Sequence, residues 1–126
     1  MLINNIDVSP LLKAQIFLEN AVKQARSDLE KAGAIQGFEI CYELAWKTMK
    51  RILAFRGIDV ASPRETFRQA ALEKLIHDPE TWFEFIRKRN MTVHSYNHKI
   101  AEEIFHFLPV FASELQHFID ILKTFK

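Results

Sequence analysis

Arg89-Asn90-Met91-Thr92-Val93-His94-Ser95-Tyr96 sets a guanidinium, a carboxamide, an imidazole and a phenol within eight residues. Arginine grips a phosphate through a planar fork of donors. Histidine is the side chain best placed to move protons near neutral pH. Together these two groups can cleave RNA without a metal. The 2′-hydroxyl attacks the phosphorus, the imidazole transfers the proton, and the guanidinium offsets charge on the phosphorane. Asn90 can orient Arg89 or bind a phosphate oxygen, and His98 and Lys99 extend the phosphate-binding surface. A blander reading puts Arg89 in a surface salt bridge and makes His94 a satisfied interhelical histidine. In that reading Asn90 ends a helix and Tyr96 is an ordinary amphipathic interface tyrosine.

Spacing constrains the chemistry. Arg89 and His94 are five residues apart, about 500° of rotation on a continuous helix, so they would not share a face. Convergence needs the helix to end or bend near Met91-Thr92, the long arginine to fold back, or a second subunit to complete the site. The polar, β-branched run Asn90-Met91-Thr92-Val93 permits a break there. His94, His98, Glu102 and His106 form a rival set at four-residue steps. Two histidines one turn apart can bind one ion. The stripe drifts round the helix, however, so the later members cannot reach that ion. The expectation is therefore no metal and no cofactor.

The elements that must position these groups read as helices. Ser9-Pro10 resembles an N-cap followed by proline at the first helical position. Apolar residues then recur at helical spacing to about Glu30, and Gly33 breaks the pattern. A second helix is predicted from about Ile35 to Arg56. Phe38, Cys41, Tyr42, Ala45, Trp46, Met49, Ile52 and Leu53 line one of its faces, and Gly57 serves as a cap. Ser62-Pro63-Arg64-Glu65 is a capping box that opens a shorter helix to about Leu75. Asp78-Pro79-Glu80 opens the next, carrying Trp82, Phe83, Phe85 and Ile86 toward the motif. A last helix spans about Asn97 to Lys123, and Pro109 should kink it. No strand alternation, repeat or linker is visible. The pattern predicts an all-α, up-and-down bundle of four long helices with one additional short helix, a single domain over 1–126.

Composition agrees with such a bundle. Of 126 residues, 48% are hydrophobic and only three are glycine. The net charge of +1 supplies no global field toward nucleic acid, so RNA contact must come from local clusters. One is Arg87-Lys88-Arg89 with His94, His98 and Lys99; the other is Lys47, Lys50, Arg51 and Arg56, for which a solvated face is the simpler reading. His77 and His117 have no partner signal and are expected to be exposed. The single Cys41 excludes an internal disulfide. No leader and no membrane-spanning run is visible, so the expected location is the cytoplasm. No glycine-rich phosphate loop is present, nor the Gly-Ser with a following Asp-x-Asp of a nucleotidyltransferase.

Arg-x4-His-x-Tyr at Arg89, His94 and Tyr96 resembles the motif of the HEPN superfamily, in particular HepT-type toxins. These were earlier described as substrate-binding partners of small nucleotidyltransferases. Phe38-Glu39 and Tyr42 to Lys50 look like the family's second helix. Ser62-Pro63-Arg64 and Phe67 to Ala71 look like its third, and Trp82 with Arg89-Asn90 looks like the run into the motif. The resemblance covers roughly residues 10 to 125. It implies a metal-independent endoribonuclease in which His94 is the general acid/base, Arg89 the phosphate ligand and Asn90 an orienting residue. It also implies a homodimer whose two motifs share a cleft, and a cognate small nucleotidyltransferase antitoxin that adds AMP to Tyr96. The aromatic excess, eleven Phe and two Trp, independently leaves apolar surface for a second subunit.

Two other readings remain open at this level. The chain can be a non-catalytic subunit that holds a nucleotide or presents a substrate to a separate nucleotidyltransferase. It can also be a scaffold. The enzyme needs Arg89 and His94 on one cleft, the binding module needs only a basic pocket, and the scaffold ties those side chains into internal salt bridges.

Overall fold

The computed structural model describes residues 1–125; Lys126, the end of the expected domain, lies outside them. Five α-helices make up most of the described chain: α1 (Ser9–Gln24), α2 (Asp28–Phe55), α3 (Pro63–Leu72), α4 (Pro79–Met91) and α5 (His98–Leu122). The architecture is the expected all-α bundle, four longer helices and a shorter α3. A small antiparallel hairpin precedes it, β1 (Leu2–Ile3) and β2 (Ile6–Asp7). The sequence shows no alternation that would announce a strand here. Asn4 and Asn5 both take positive φ, 50° and 65°, the backbone that closes a two-residue hairpin. Two-residue strands are too short for alternation to show.

The first helix boundary is a correction. α1 stops at Gln24 and α2 begins at Asp28, so Gly33 lies inside α2 and breaks nothing. The punctuation is Ser27. Its hydroxyl accepts from the Glu30 amide at 3.1 Å, while the Glu30 carboxylate accepts from the Ser27 amide at 2.9 Å. This reciprocal pair is a capping box and restarts the helix. Ser9 is also not the cap. It is the first helical residue, its amide donates to Asp7 at 3.0 Å, and its hydroxyl accepts from the terminal amine at 2.8 Å. The other start signals hold: Ser62 caps α3 through the Glu65 amide, Asp78 caps α4 through Glu80, and Asn97 caps α5 through Lys99 and Ile100. Gly57 follows α2 with φ +82° and lets the Ile58 amide reach back to Leu53 at 2.8 Å. α5 runs unbroken through Pro109.

α2 is the central element, packed against α1, α3 and α5. Gly37 allows α1 to approach, because a Cβ there would meet the Phe17 ring at 3.2 Å. The core is aromatic. Phe38, Phe67, Trp82, Phe85, Phe111 and Phe118 are fully buried, with centroids 4.8 Å apart for Phe38–Phe111 and 4.9 Å for Trp82–Phe85. Edge contacts of this kind add to the area each ring buries. Trp82 and Phe85 fix the rotation of α4 about its axis, and so decide where every residue of the motif points. Among the described residues no helix is long and apolar enough to cross a membrane.

Candidate functional site

α4 ends at Met91, and Thr92–His94 form one turn of 3-10 helix before Asn97 starts α5. The break therefore falls at Met91-Thr92, one of the three routes to convergence that the spacing left open. The Ser95 amide donates to the Thr92 carbonyl at 3.1 Å and the Asn97 amide to the His94 carbonyl at 3.0 Å, which holds the turn tight.

Arg89 lies one turn beyond buried Phe85, on the inward stripe of α4. Its guanidinium meets α2. Nη1 is 3.6 Å from Glu39 Oε2 and Nε is 3.8 Å from Glu43 Oε1. Nη1 also donates to the hydroxyl of buried Thr92 at 3.2 Å, and that hydroxyl lies 3.1 Å from Glu39 Oε2. Nε itself is shielded from solvent and has no hydrogen-bond partner. Sequence reasoning gave no role to Glu39, Glu43 or Thr92. Two glutamates one turn apart are a legible signal for a facing cation, but which cation they face is set by packing.

His94 is exposed, and its Nδ1 lies 3.4 Å from the Tyr96 hydroxyl, with the rings 6.0 Å apart edge to face. Nε2 is thus the nitrogen left for a ligand. Among the described residues no hydrogen bond or ion pair joins Arg89 to His94. Asn90 points elsewhere again: it lines a groove facing α3, with Arg64, Phe83 and Arg87. One residue along a helix is a rotation of about 100°, so Arg89 and Asn90 cannot share a direction.

His98 starts α5 and faces the start of α2, its Nδ1 3.9 Å from Asp28 Oδ2. Donor atoms of Asp28, His98 and Glu102 lie within 4.8 Å of one another. The rival metal set is thereby rearranged: His94 turns to Tyr96, while Asp28 joins from another helix. Imidazole with two carboxylates suits a divalent ion, but Lys31 Nζ already bonds Glu102 at 2.9 Å and supplies the positive charge there. That bond holds the Glu102 carboxyl below its ordinary range. Tyr96, His98 and Lys31 share a cavity of about 150 Å³. Lys99 is exposed on the first turn of α5.

The basic run before the motif is largely neutralised. Lys88 is buried and bonded to Glu103 at 2.8 Å, and Arg87 is held by Glu84 at 2.6 Å. These contacts push the Glu103 and Glu84 carboxyls down. Burial, with Glu43 nearby, pushes the Tyr42 phenol up to about 12, and burial likewise takes the Cys41 thiol to about 12. Neither is a nucleophile near neutral pH. His77 and His117 are both exposed, their rings 6.2 Å apart.

The fold has known counterparts. Residues 6–124 match the family model described as nucleotidyltransferase substrate binding protein like. A Haemophilus influenzae protein named probable ribonuclease HepT is 33% identical over 97 residues, 73% of this chain. The match spans 66% of that protein's own length, just under two thirds. A crystal structure from Thermus thermophilus superimposes with TM-score 0.83 at 30% identity, covering 89% of this chain and 98% of that one. A Haemophilus influenzae structure, described as the fold of a substrate-binding domain of a nucleotidyltransferase, gives a TM-score of 0.84 at 28% identity over 93% and 99%. A Shewanella oneidensis HEPN toxin, tri-AMPylated and in complex with an MNT antitoxin, shares the fold with TM-score 0.76 at 16% identity, covering 93% of each chain. The chain belongs to the nucleotidyltransferase substrate-binding-protein-like family.

Proposed function

We propose that this chain is a HepT-type toxin, a metal-independent endoribonuclease that acts as a homodimer and is silenced by AMP added to Tyr96. The observation that carries the reading is the exposed His94, with the Tyr96 hydroxyl on one ring nitrogen and the other free, one helix end past Arg89. His94 removes the proton of the 2′-hydroxyl and returns one to the leaving 5′-oxygen. Arg89 binds the phosphate and its developing charge. The substrate is RNA and the silencing partner a small nucleotidyltransferase. The kinship with a probable ribonuclease HepT and the antitoxin-bound state of the Shewanella fold neighbour support those two assignments.

Silencing has a direct chemical form. The Tyr96 oxygen attacks the α-phosphorus of ATP, the bond to the β-phosphate breaks, pyrophosphate leaves, and the phenolic proton passes to His94. The adduct replaces a hydrogen-bonding hydroxyl with an anion beside the imidazole. It would fill the place of the substrate phosphate.

Arg89→Ala and His94→Ala test the reading. Each should reduce cleavage by about a hundredfold to ten-thousandfold, with the helical spectrum unchanged and activity retained in chelator. Loss of activity in chelator, restored by a divalent ion, would replace it with a metal site at Asp28, His98 and Glu102. Light scattering on the same samples should give a dimer mass. A second reading, a non-catalytic substrate-binding subunit for a separate nucleotidyltransferase, is favoured by the family that residues 6–124 match, and the pairing of Arg89 with Glu39 and Glu43 is the arrangement expected of a scaffold. Absence of RNA cleavage by the wild-type protein, with binding to a nucleotidyltransferase retained, would select it.

A further inference from the structure

Arg87, Lys88 and Arg89 each have a carboxylate partner, but two arginines of α3 do not. Arg64 and Arg68 are exposed, and neither forms an ion pair among the described residues. Both guanidinium groups lie over the same ring, that of Phe83 on α4, at 4.4 Å and 5.5 Å from its centre. Arg87 and Asn90 follow Phe83 by one and two helical turns, so all three line the same side of α4. Arg64, Phe83, Arg87 and Asn90 border a groove of about 410 Å³, with Glu80 and Glu84. Glu84 is occupied by Arg87. Asn90 is exposed, and its carboxamide makes no hydrogen bond within the described chain.

This combination has a specific chemistry. Single-stranded RNA is held by bases stacked on aromatic rings or guanidinium planes, by cations on the phosphates, and by side chains bonded to base edges. Phe83 supports Arg64 as the platform, Arg68 supplies a free cation, and a carboxamide offers both donors and an acceptor to a base edge. Asn90 adjoins Arg89 in sequence but is turned about 100° from it, so a strand with one nucleotide in this groove must pass round the end of α4 to bring its neighbouring phosphate to Arg89. We infer that the groove between α3 and α4 is a subsite for one nucleotide of single-stranded RNA flanking the scissile phosphate. Arg64 stacks the base, Arg68 contacts the backbone and Asn90 bonds the base edge. The word scissile rests on the ribonuclease reading; the binding site does not.

The test uses full-length protein and a labelled, mixed-sequence 2′-O-methyl oligoribonucleotide, which lacks the attacking hydroxyl and reports binding alone. Anisotropy should show that Arg64→Ala with Arg68→Ala weakens binding by about tenfold or more and flattens the salt dependence, by a log–log slope of about one to two. Phe83→Leu keeps the apolar contact but removes the ring, and should weaken binding by about fivefold or more. Lys13→Ala, on the exposed side of α1, should bind as wild type. Wild-type affinity in the double arginine variant, with its thermal melt unchanged, overturns the inference. So does a double variant that binds RNA normally but loses capture of a nucleotidyltransferase, which would make the groove a protein-docking surface. Cleavage assays separate the two proposals. Cleavage lost with Arg89→Ala but indifferent to Arg64 and Arg68 sinks the subsite alone. Groove-dependent binding without cleavage by wild type sinks the ribonuclease reading and leaves the subsite standing.

Discussion

Arg89 of α4 faces Glu39 of α2 at 3.6 Å, and the Thr92 hydroxyl lies between them, 3.2 Å from the guanidinium and 3.1 Å from the carboxylate. Glu43 adds a second acidic neighbour at 3.8 Å. A phosphate approaching Arg89 must compete with both carboxylates. Glu39→Gln and Glu43→Gln should therefore each lower KM for RNA. Glu39→Gln should also lower kcat, because Glu39 and Thr92 together hold the guanidinium in one position. These are half-exposed pairs, so each substitution should cost only about 0.2–1 kcal/mol in stability. Steady-state cleavage and urea titration measure the two effects. A rise in KM for both variants would mean that the carboxylates help present Arg89 to phosphate instead of competing for it.

Tyr96 and Tyr42 make a natural contrast, 84% and 3% exposed. Incubation with a cognate nucleotidyltransferase and ATP should add adenylate to Tyr96 and leave Tyr42 unmodified. Tyr96→Phe keeps the ring but loses the acceptor oxygen. It should fold, still cleave RNA at least weakly, and resist silencing. Peptide mass spectrometry locates the adduct; adenylate on Tyr42, or on no residue, would refute the assignment.

Acid should weaken the fold through particular carboxylates. Glu102, bonded by Lys31, and Glu103, bonded by Lys88, titrate below the ordinary Glu value of 4.5 in the folded chain. A depressed folded-state value means that their contribution is complete above the unfolded value. It is lost as pH falls through the folded one. Stability should be flat with respect to these groups near neutrality and decline below about 4.5. Glu103→Gln should make that decline shallower in urea melts across an acidic pH series. An identical acid limb in wild type and variant would assign the loss to other groups.

Cap chemistry, proline position and apolar periodicity are local, and they made much of the bundle legible. Ser62-Pro63, Asp78-Pro79 and Asn97 mark helix starts within a few residues. The break after Met91 was permitted by the polar, β-branched run Asn90-Met91-Thr92-Val93, one of three ways the spacing of Arg89 and His94 left for them to converge. Ser27 was just as local, a serine three residues before Glu30, but it was masked by apolar spacing that carried on through it. The family was legible as well, since the motif and its flanking helices are written in consecutive residues.

The partners of those residues were decided elsewhere. Glu39 and Glu43 lie some fifty residues before Arg89. They meet it because Trp82 and Phe85 are buried and thereby turn the Arg89 stripe of α4 toward α2. The same rotation sends Asn90 toward Arg64 on α3, although it adjoins Arg89 in the chain. Asp28 reaches His98 because α2 and α5 begin side by side. Residue types and helix starts follow from the sequence because they depend on a few neighbouring groups. The direction of each side chain, and which opposite charge it finds, follows from how the buried rings of α2, α4 and α5 interlock.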